Sequence, residues 1–213
     1  MKPYAYLDIP NHQAISQRLL DLFTTSLYRN YSPDTKNTYY TFTPKSGQTP
    51  YDIKLNTEFW NMLNTQDLLI HIPELKEALV KLNIEMVNIS YIVVKSGNAV
   101  LHSDLAGDPE LTERINWPIA NAATSETRFY SLKNTTVNTM MGKPASGEPN
   151  KDYIMYNPND CAEYLGSYVL TQPIIFNFRT PHSVHRVPGA VPERPELSRL
   201  LLTITVRKSG LLD

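Results

Sequence analysis

The chain has 213 residues, a length that fits one sizeable domain better than two small ones. Its formal net charge of -1 provides no overall basic field that would recruit nucleic acid or an anionic membrane. The single cysteine, Cys161, excludes an internal disulfide and a thiolate metal cluster, and we interpret it as a structural residue.

Two helical patterns lie in residues 1–83. Asn11 is a suitable N-cap for the first predicted helix. The apolar residues that follow it have helical spacing: Ile15, Leu19, Leu22, Phe23 and Leu27. Pro73 is predicted to occupy the first position of a second helix. Residues 29–56 are rich in turn-forming types, so we predict loops there with one short strand around 39–43.

From residue 84 onward the sequence is typical of short strands separated by turns. The predicted strands cover residues 84–94, 99–102, 115–119, 128–132, 153–156, 168–170, 174–178 and 199–206. Six or more short strands at this spacing favour a β-sandwich or jelly roll. We therefore predict one mostly β domain over 1–213. Its β core spans 84–206, and the helical and loop region 1–83 packs on one sheet.

One histidine and one carboxylate lie two residues apart at the end of a predicted strand. In an extended chain, His102 and Asp104 point to one face and Ser103 points to the other. An imidazole and a carboxylate on one face make two thirds of a 2-His-1-carboxylate triad. Such a triad binds Fe(II) and leaves positions open for a co-substrate and O2. The His-x-Asp pair alone is a weak signal, because such pairs also occur in turns and on surfaces.

Two later histidines are candidates for the third ligand. His182 and His185 are three residues apart, so in an extended chain they point to opposite faces and cannot both join one triad. His182 follows Pro181, which stiffens its approach, and it lies near the end of a predicted strand. His185 precedes Arg186, whose positive charge opposes a nearby cation. We therefore predict that His182 is the ligand.

The most apolar predicted strand begins with an arginine. Alternation places Arg199 and Leu201 with two threonines on one mixed face and four apolar residues on the other. An arginine at the mouth of a polar pocket can bind a carboxylate through two parallel hydrogen bonds. The alternative is a solvated arginine at a strand end.

Four parts of the sequence, in this order, resemble the Fe(II)/2-oxoglutarate-dependent oxygenase superfamily. They are Val100-Leu101-His102-Ser103-Asp104, Arg114-Ile115-Asn116-Trp117-Pro118-Ile119, Phe176-Asn177 with Thr180-Pro181-His182-Ser183-Val184, and Arg199-Leu200-Leu201-Leu202-Thr203-Ile204. The resemblance covers residues 84–206. It is closest to small, stand-alone microbial and phage members and more distant to aspartyl/asparaginyl hydroxylases. It implies a double-stranded β-helix, which is a distorted jelly roll.

The resemblance also implies a role for each residue of the pattern. His102, Asp104 and His182 would bind Fe(II), and Arg199 would bind the distal carboxylate of 2-oxoglutarate. The chain departs from the family in two ways. Leu201 stands where some branches have a serine. The stretch from His182 to Arg199 is longer than usual and rich in proline, which makes Arg194 a competing candidate for binding the carboxylate.

Three further polar residues fall on or beside the strands that follow the carboxylate. Asn116, Asn121 and Tyr130 are therefore candidates for lining the cofactor site, although each is more often a structural hydrogen-bonding residue.

We therefore expect a non-haem Fe(II)- and 2-oxoglutarate-dependent dioxygenase. It would use O2 to hydroxylate a small-molecule or peptidyl substrate, with release of succinate and CO2. Two alternatives stay open: a cupin-like metalloprotein that does not use 2-oxoglutarate, and a non-enzymatic jelly-roll binding module. No stretch reaches the ~20 apolar residues of a membrane span. We expect a cytoplasmic protein with no membrane or nucleic-acid partner.

Overall fold

The structure is a computed structural model in which the α-helices lie before residue 82 and strands make up most of the regular structure after it. It describes residues 2–54, 60–94, 99–104, 108, 110–133, 140–141, 153–157, 159, 161–207 and 209–213. The helices are α1 (His12–Thr25), α2 (Thr65–His71) and α3 (Pro73–Lys81). The strands are β1 (Tyr4–Tyr6), β2 (Tyr28–Ser32), β3 (Asn37–Thr41), β4 (Trp60–Met62), β5 (Met86–Val94), β6 (Ala99–Asp104), β7 (Glu113–Ala120), β8 (Ser125–Leu132), β9 (Met140–Met141), β10 (Tyr153–Met155), β11 (Cys161–Val169), β12 (Ile174–Asn177), β13 (His182–Arg186) and β14 (Arg199–Val206).

Two six-stranded antiparallel sheets form the body of the fold. The first sheet has the order β1-β12-β7-β14-β5-β4, and the second has the order β11-β8-β13-β6-β10-β9. Strands that are distant in the chain are neighbours in both sheets, as in a jelly roll. The prediction of a mostly β fold of this class, with N-terminal helices, is confirmed.

Apolar clusters lie on both faces of the first sheet. On one face, Leu19 of α1 and Leu75 of α3 belong to a buried cluster with Tyr91 and Leu202 of the sheet. On the other face, residues such as Leu201 pack in a second cluster that includes side chains of the second sheet. The helices therefore pack on one sheet, as predicted, and the second sheet covers its opposite face.

Strand β14 lies between β5 and β7, and all eight of its residues are buried. The predicted alternation is confirmed, because Leu200 and Leu202 belong to the cluster beneath the helices while Leu201 belongs to the cluster between the sheets. A strand in this position is covered on both faces, which explains its continuous burial.

Several elements were not predicted from the sequence. Residues 29–56 were expected to be mainly loop, yet they contain most of the β2–β3 hairpin, which pairs Asn30 with Tyr39. The helix α2 and the short strands β1, β4 and β13 were also missed. Short strands gain their stability from their partners, so their own residue types indicate them weakly. Among the described residues, no helix is both long enough and apolar enough to cross a membrane.

Asn121 fixes the segment that leads into β14. It follows β7 with a φ of 52°, in the left-handed region. Its Nδ2 donates to the carbonyl oxygens of Arg194 (2.7 Å) and Leu197 (2.9 Å), and its Oδ1 accepts from the Arg194 amide (2.8 Å). Asn121 was predicted as a candidate for lining the cofactor site. The structure instead gives it a structural role, because both ends of its amide are bonded to backbone.

We expect Asn121→Ala to lower the free energy of unfolding by about 2–3 kcal/mol, because it removes several hydrogen bonds to partly buried backbone groups. Asn121→Gly loses the same bonds but tolerates the positive φ, so it should be less destabilising than Asn121→Ala. Equilibrium denaturation of the three proteins measures both differences. Equal stability of Asn121→Ala and wild type would contradict this role.

Candidate metal centre

Two histidines meet where strands β6 and β13 pair. His182 is the direct cross-strand partner of His102, and the centroids of their rings are 4.4 Å apart. Further along the pair, Val184 lies opposite Ala99, so the register shifts between the two positions and β6 carries one extra residue. A bulge of this kind re-aims side chains beside a site. The pairing of the two strands brings the imidazoles together.

Asp104 completes a cluster of three potential metal ligands. Its Oδ1 lies 3.5 Å from Nε2 of His102, and its Oδ2 lies 4.0 Å from Nε2 of His182. Ligand atoms of the three residues all lie within 4.8 Å of one another. Two ligands of one ion are separated by at most twice the metal–ligand distance of roughly 2.0–2.2 Å for nitrogen and oxygen. These residues therefore fit one first-row metal ion with little adjustment.

Backbone carbonyls orient both imidazoles. Nδ1 of His102 lies 2.7 Å from the carbonyl oxygen of Val100, and Nδ1 of His182 lies 2.8 Å from that of Thr180. A carbonyl oxygen only accepts, so each Nδ1 carries the hydrogen and donates it. Each Nε2 then presents its lone pair to the centre of the cluster. Metal-binding histidines use this pattern, in which the other ring nitrogen is held by a carbonyl or carboxylate.

The environment of His182 keeps its imidazole neutral. The side chain is buried, and burial together with the neighbouring His102 lowers the pKa of His182 to about 4. At neutral pH the ring is therefore unprotonated, which is the form that binds a metal.

Arg114 contacts the carboxylate of the cluster. Its Nη1 donates to Oδ2 of Asp104 over 2.6 Å. Arg114 was not predicted as a site residue, because the predicted strand began one residue later, at Ile115. The sequence did contain a signal for this role, because Arg114 and Asn116 lie two residues apart and share one face of β7. Ile115 and Trp117 lie on the opposite face, in the core.

The three potential ligands line a cavity of about 100 Å³ between the two sheets. Arg114, Asn116 and Arg199 also line it. Such a cavity is small compared with the roughly 300–1,000 Å³ of sites for drug-sized ligands.

The two arginines that were candidates for binding a carboxylate lie in different places. Arg199 lines the cavity with only 8% of its surface exposed, and its Nε has no hydrogen-bond partner among the described residues. Burial lowers the pKa of Arg199 to about 10, so the guanidinium stays charged at neutral pH. Arg194 is exposed, and its backbone is bonded to Asn121.

The structure separates the other predicted lining residues. Asn116 faces the cavity, where its Nδ2 donates to the hydroxyl of Tyr168 over 3.0 Å. Tyr130 faces away from it, which corrects the prediction. Thr127 and Phe129 of the same strand point inward, so alternation turns Tyr130 outward, where its ring contacts Tyr164.

His185 also points away from the cluster. Its Nε2 lies 2.7 Å from Oγ of Ser183, while His182 and Val184 line the cavity. The prediction that His182 and His185 occupy opposite faces of the chain is confirmed.

No protein-family model matches the chain, and no curated protein matches it in sequence. Solved structures do match its fold. The epimerase SnoN, in complex with Fe3+, alpha ketoglutarate and nogalamycin RO, has a TM-score of 0.50 and 12% identity, with coverage of 99% of this chain and 83% of SnoN. EvdO2 from Micromonospora carbonacea var. aurantiaca, complexed with 2-oxoglutarate, has a TM-score of 0.47, 13% identity, and coverage of 97% and 87%.

Escherichia coli ycfD has a TM-score of 0.38 and 13% identity, with coverage of 89% of this chain. The chain spans only 44% of the length of ycfD. At these identities the likeness concerns the fold, for which SnoN, with its TM-score of 0.50, is the supporting structure.

We expect His182→Ala and Asp104→Ala each to lose tight binding of Fe(II) or Mn(II). His182→Ala removes one of the three candidate ligands, and Asp104→Ala removes the only anionic one among them. His185→Ala is the matched control and should keep the metal, since its side chain lies on the opposite face. Elemental analysis after anaerobic loading measures the metal content. Metal retained in His182→Ala and lost in His185→Ala would contradict the assignment.

Proposed function

We propose that the protein is a non-haem Fe(II)- and 2-oxoglutarate-dependent dioxygenase. The observation that carries this proposal is the buried guanidinium of Arg199, which lines the same cavity as His102, Asp104 and His182. The cavity therefore joins a set of three potential metal ligands to a cationic group that is suited to a carboxylate.

Arg199 has the properties of an anion-binding group. Burying a cation is costly unless an anion or hydrogen-bond acceptors compensate it. Nε of Arg199 lacks an acceptor among the described residues. A carboxylate in the cavity would supply this acceptor and would pair with the guanidinium through two parallel hydrogen bonds.

The remaining lining favours a small polar co-substrate. Thr203 follows Arg199 along the cavity face of β14, and Asn116 lies opposite Thr203 on β7. The Tyr168 hydroxyl accepts a hydrogen bond from Asn116, and it lies within the electrostatic influence of the Arg199 guanidinium. Together with the small volume, these groups suit a short dicarboxylate better than a large apolar ligand.

Each residue would make a distinct contribution to the reaction. His102, Asp104 and His182 would hold the metal on one side, which leaves positions open on the other. Arg199 would orient the co-substrate by its distal carboxylate. Fe(II) and 2-oxoglutarate, when bound, would supply the oxidising chemistry, which uses O2 to convert the co-substrate to succinate and CO2 and to hydroxylate the substrate.

The prime substrate would approach past Trp60. This residue lines the cavity from β4, at one end of the first sheet, and 40% of its surface is exposed. A small molecule or a peptide side chain remains the proposed substrate class. The SnoN structure supports the proposal, because a protein with this fold is complexed there with Fe3+ and alpha ketoglutarate.

We expect Arg199→Lys to weaken the binding of 2-oxoglutarate to the Mn(II)-loaded protein by at least roughly tenfold, because a lost charge-assisted hydrogen bond costs about 1.5–3 kcal/mol. Isothermal titration calorimetry measures this affinity. Arg194→Ala is the control and should bind as the wild type does, because Arg194 is exposed outside the cavity. Wild-type affinity in Arg199→Lys with a loss in Arg194→Ala would contradict our choice of arginine.

Succinate formation tests the activity itself. We expect slow, uncoupled turnover of 2-oxoglutarate that requires both Fe(II) and O2. A protein that binds the metal but not 2-oxoglutarate would instead be a cupin-like metalloprotein. A protein that holds no stoichiometric Fe(II), Mn(II) or Ni(II) would instead be a non-enzymatic binding module.

A further inference from the structure

A second arginine lies within the cavity, and it pairs with the carboxylate of the triad. Arg114 extends from β7 with only 8% of its surface exposed. Its Nη1 donates to Oδ2 of Asp104 over 2.6 Å, and its Nε donates to Oγ1 of Thr205 over 3.3 Å. The guanidinium therefore links the first sheet to the strand of the second sheet that carries His102 and Asp104.

Two aromatic rings hold this guanidinium in place. The central carbon of the guanidinium lies 4.3 Å from the centre of the Phe178 ring and 5.1 Å from that of Trp60. Both distances are within the range of cation–π attraction. The carbonyl oxygen of Phe178 also accepts a hydrogen bond from the amide of Asp104 over 3.0 Å. Phe178 thus contacts Arg114 with its ring and holds the backbone of Asp104 with its carbonyl.

We propose that Arg114 is a positioning residue that makes Asp104 a one-oxygen ligand, an inference that rests on the proposed metal site. Arg114 engages Oδ2, while Oδ1 lies 3.5 Å from Nε2 of His102. With Oδ2 held by the guanidinium, Oδ1 is the oxygen available to the ion.

The number of open coordination positions depends on this arrangement. A carboxylate can bind a metal through one oxygen or through both. A facial triad needs each ligand to occupy one position, because the co-substrate and O2 require the other three. By occupying Oδ2, Arg114 prevents Asp104 from taking a second position. Groups that orient metal ligands in this way typically contribute 10- to 100-fold to metal affinity or activity.

The test is the binding of Co(II) to the purified full-length chain, measured by competition with a chelating indicator and by the d–d absorption spectrum. We expect Arg114→Met to weaken Co(II) binding by about 10- to 100-fold. It should also change the spectrum, because the carboxylate can then rotate and use both oxygens. Arg114→Lys keeps a cationic donor and should recover most of the affinity and the wild-type spectrum.

Thr205→Val is the matched control. It removes the 3.3 Å bond to Nε of Arg114 but leaves the pair with Asp104. It should therefore bind Co(II) as the wild type does. Circular dichroism and thermal unfolding of the metal-free proteins establish that each variant is folded. If Arg114→Met does not fold, Arg114→Gln serves the same purpose, because its amide is too short to reach Asp104 and still offers a polar group to Thr205.

Two results would overturn the inference in different ways. If the wild type binds Co(II), and the folded Met or Gln variant binds it as tightly with the same spectrum, Arg114 does not position the ligand, and the proposed function stands. If the wild type takes up no divalent metal, the proposed function is wrong, and the inference about Arg114 falls with it.

Discussion

The pairing of β13 with β6 is the contact on which the candidate metal centre depends. It places His182 directly opposite His102, and the bulge in β6 allows both His102 and Ala99 to face the cavity. Asp104 follows two residues after His102, so the same strand supplies the carboxylate. Cross-strand neighbours have Cβ atoms about 4.5–5.5 Å apart, which is close enough for two imidazoles to reach one ion. A site built on paired strands is held more rigidly than one built on loops.

Two arginines line one cavity, and their surroundings give them different chemistry. Arg114 is paired with Asp104 and lies against two aromatic rings. Its charge is thereby compensated by the protein itself. Nε of Arg199 is buried without a partner among the described residues. The hydroxyl of Tyr168 lies near this guanidinium. A buried cation without an anionic partner is costly to a fold, and such residues are therefore often found where a ligand binds.

The first sheet serves two purposes because side chains alternate along its strands. One face of β14 contributes Leu200 and Leu202 to the core beneath the helices, while the opposite face presents Arg199 and Thr203 to the cavity. The helices of the N-terminal region pack on the sheet, and none of the three candidate ligands found among the described residues lies on them. Asn121 adds to this support by holding the segment that enters β14.

The sequence by itself determined the features that depend on local periodicity: the mostly β class, the two faces of β14, and the shared face of His102 and Asp104. It also separated His182 from His185, because an extended chain turns residues three apart to opposite sides. Only the tertiary structure decided what depends on contacts between distant segments. Tyr130 turns outward, Arg114 meets Asp104, and Arg199 rather than Arg194 enters the cavity, because strand register and burial are set by partners that lie far away in the chain.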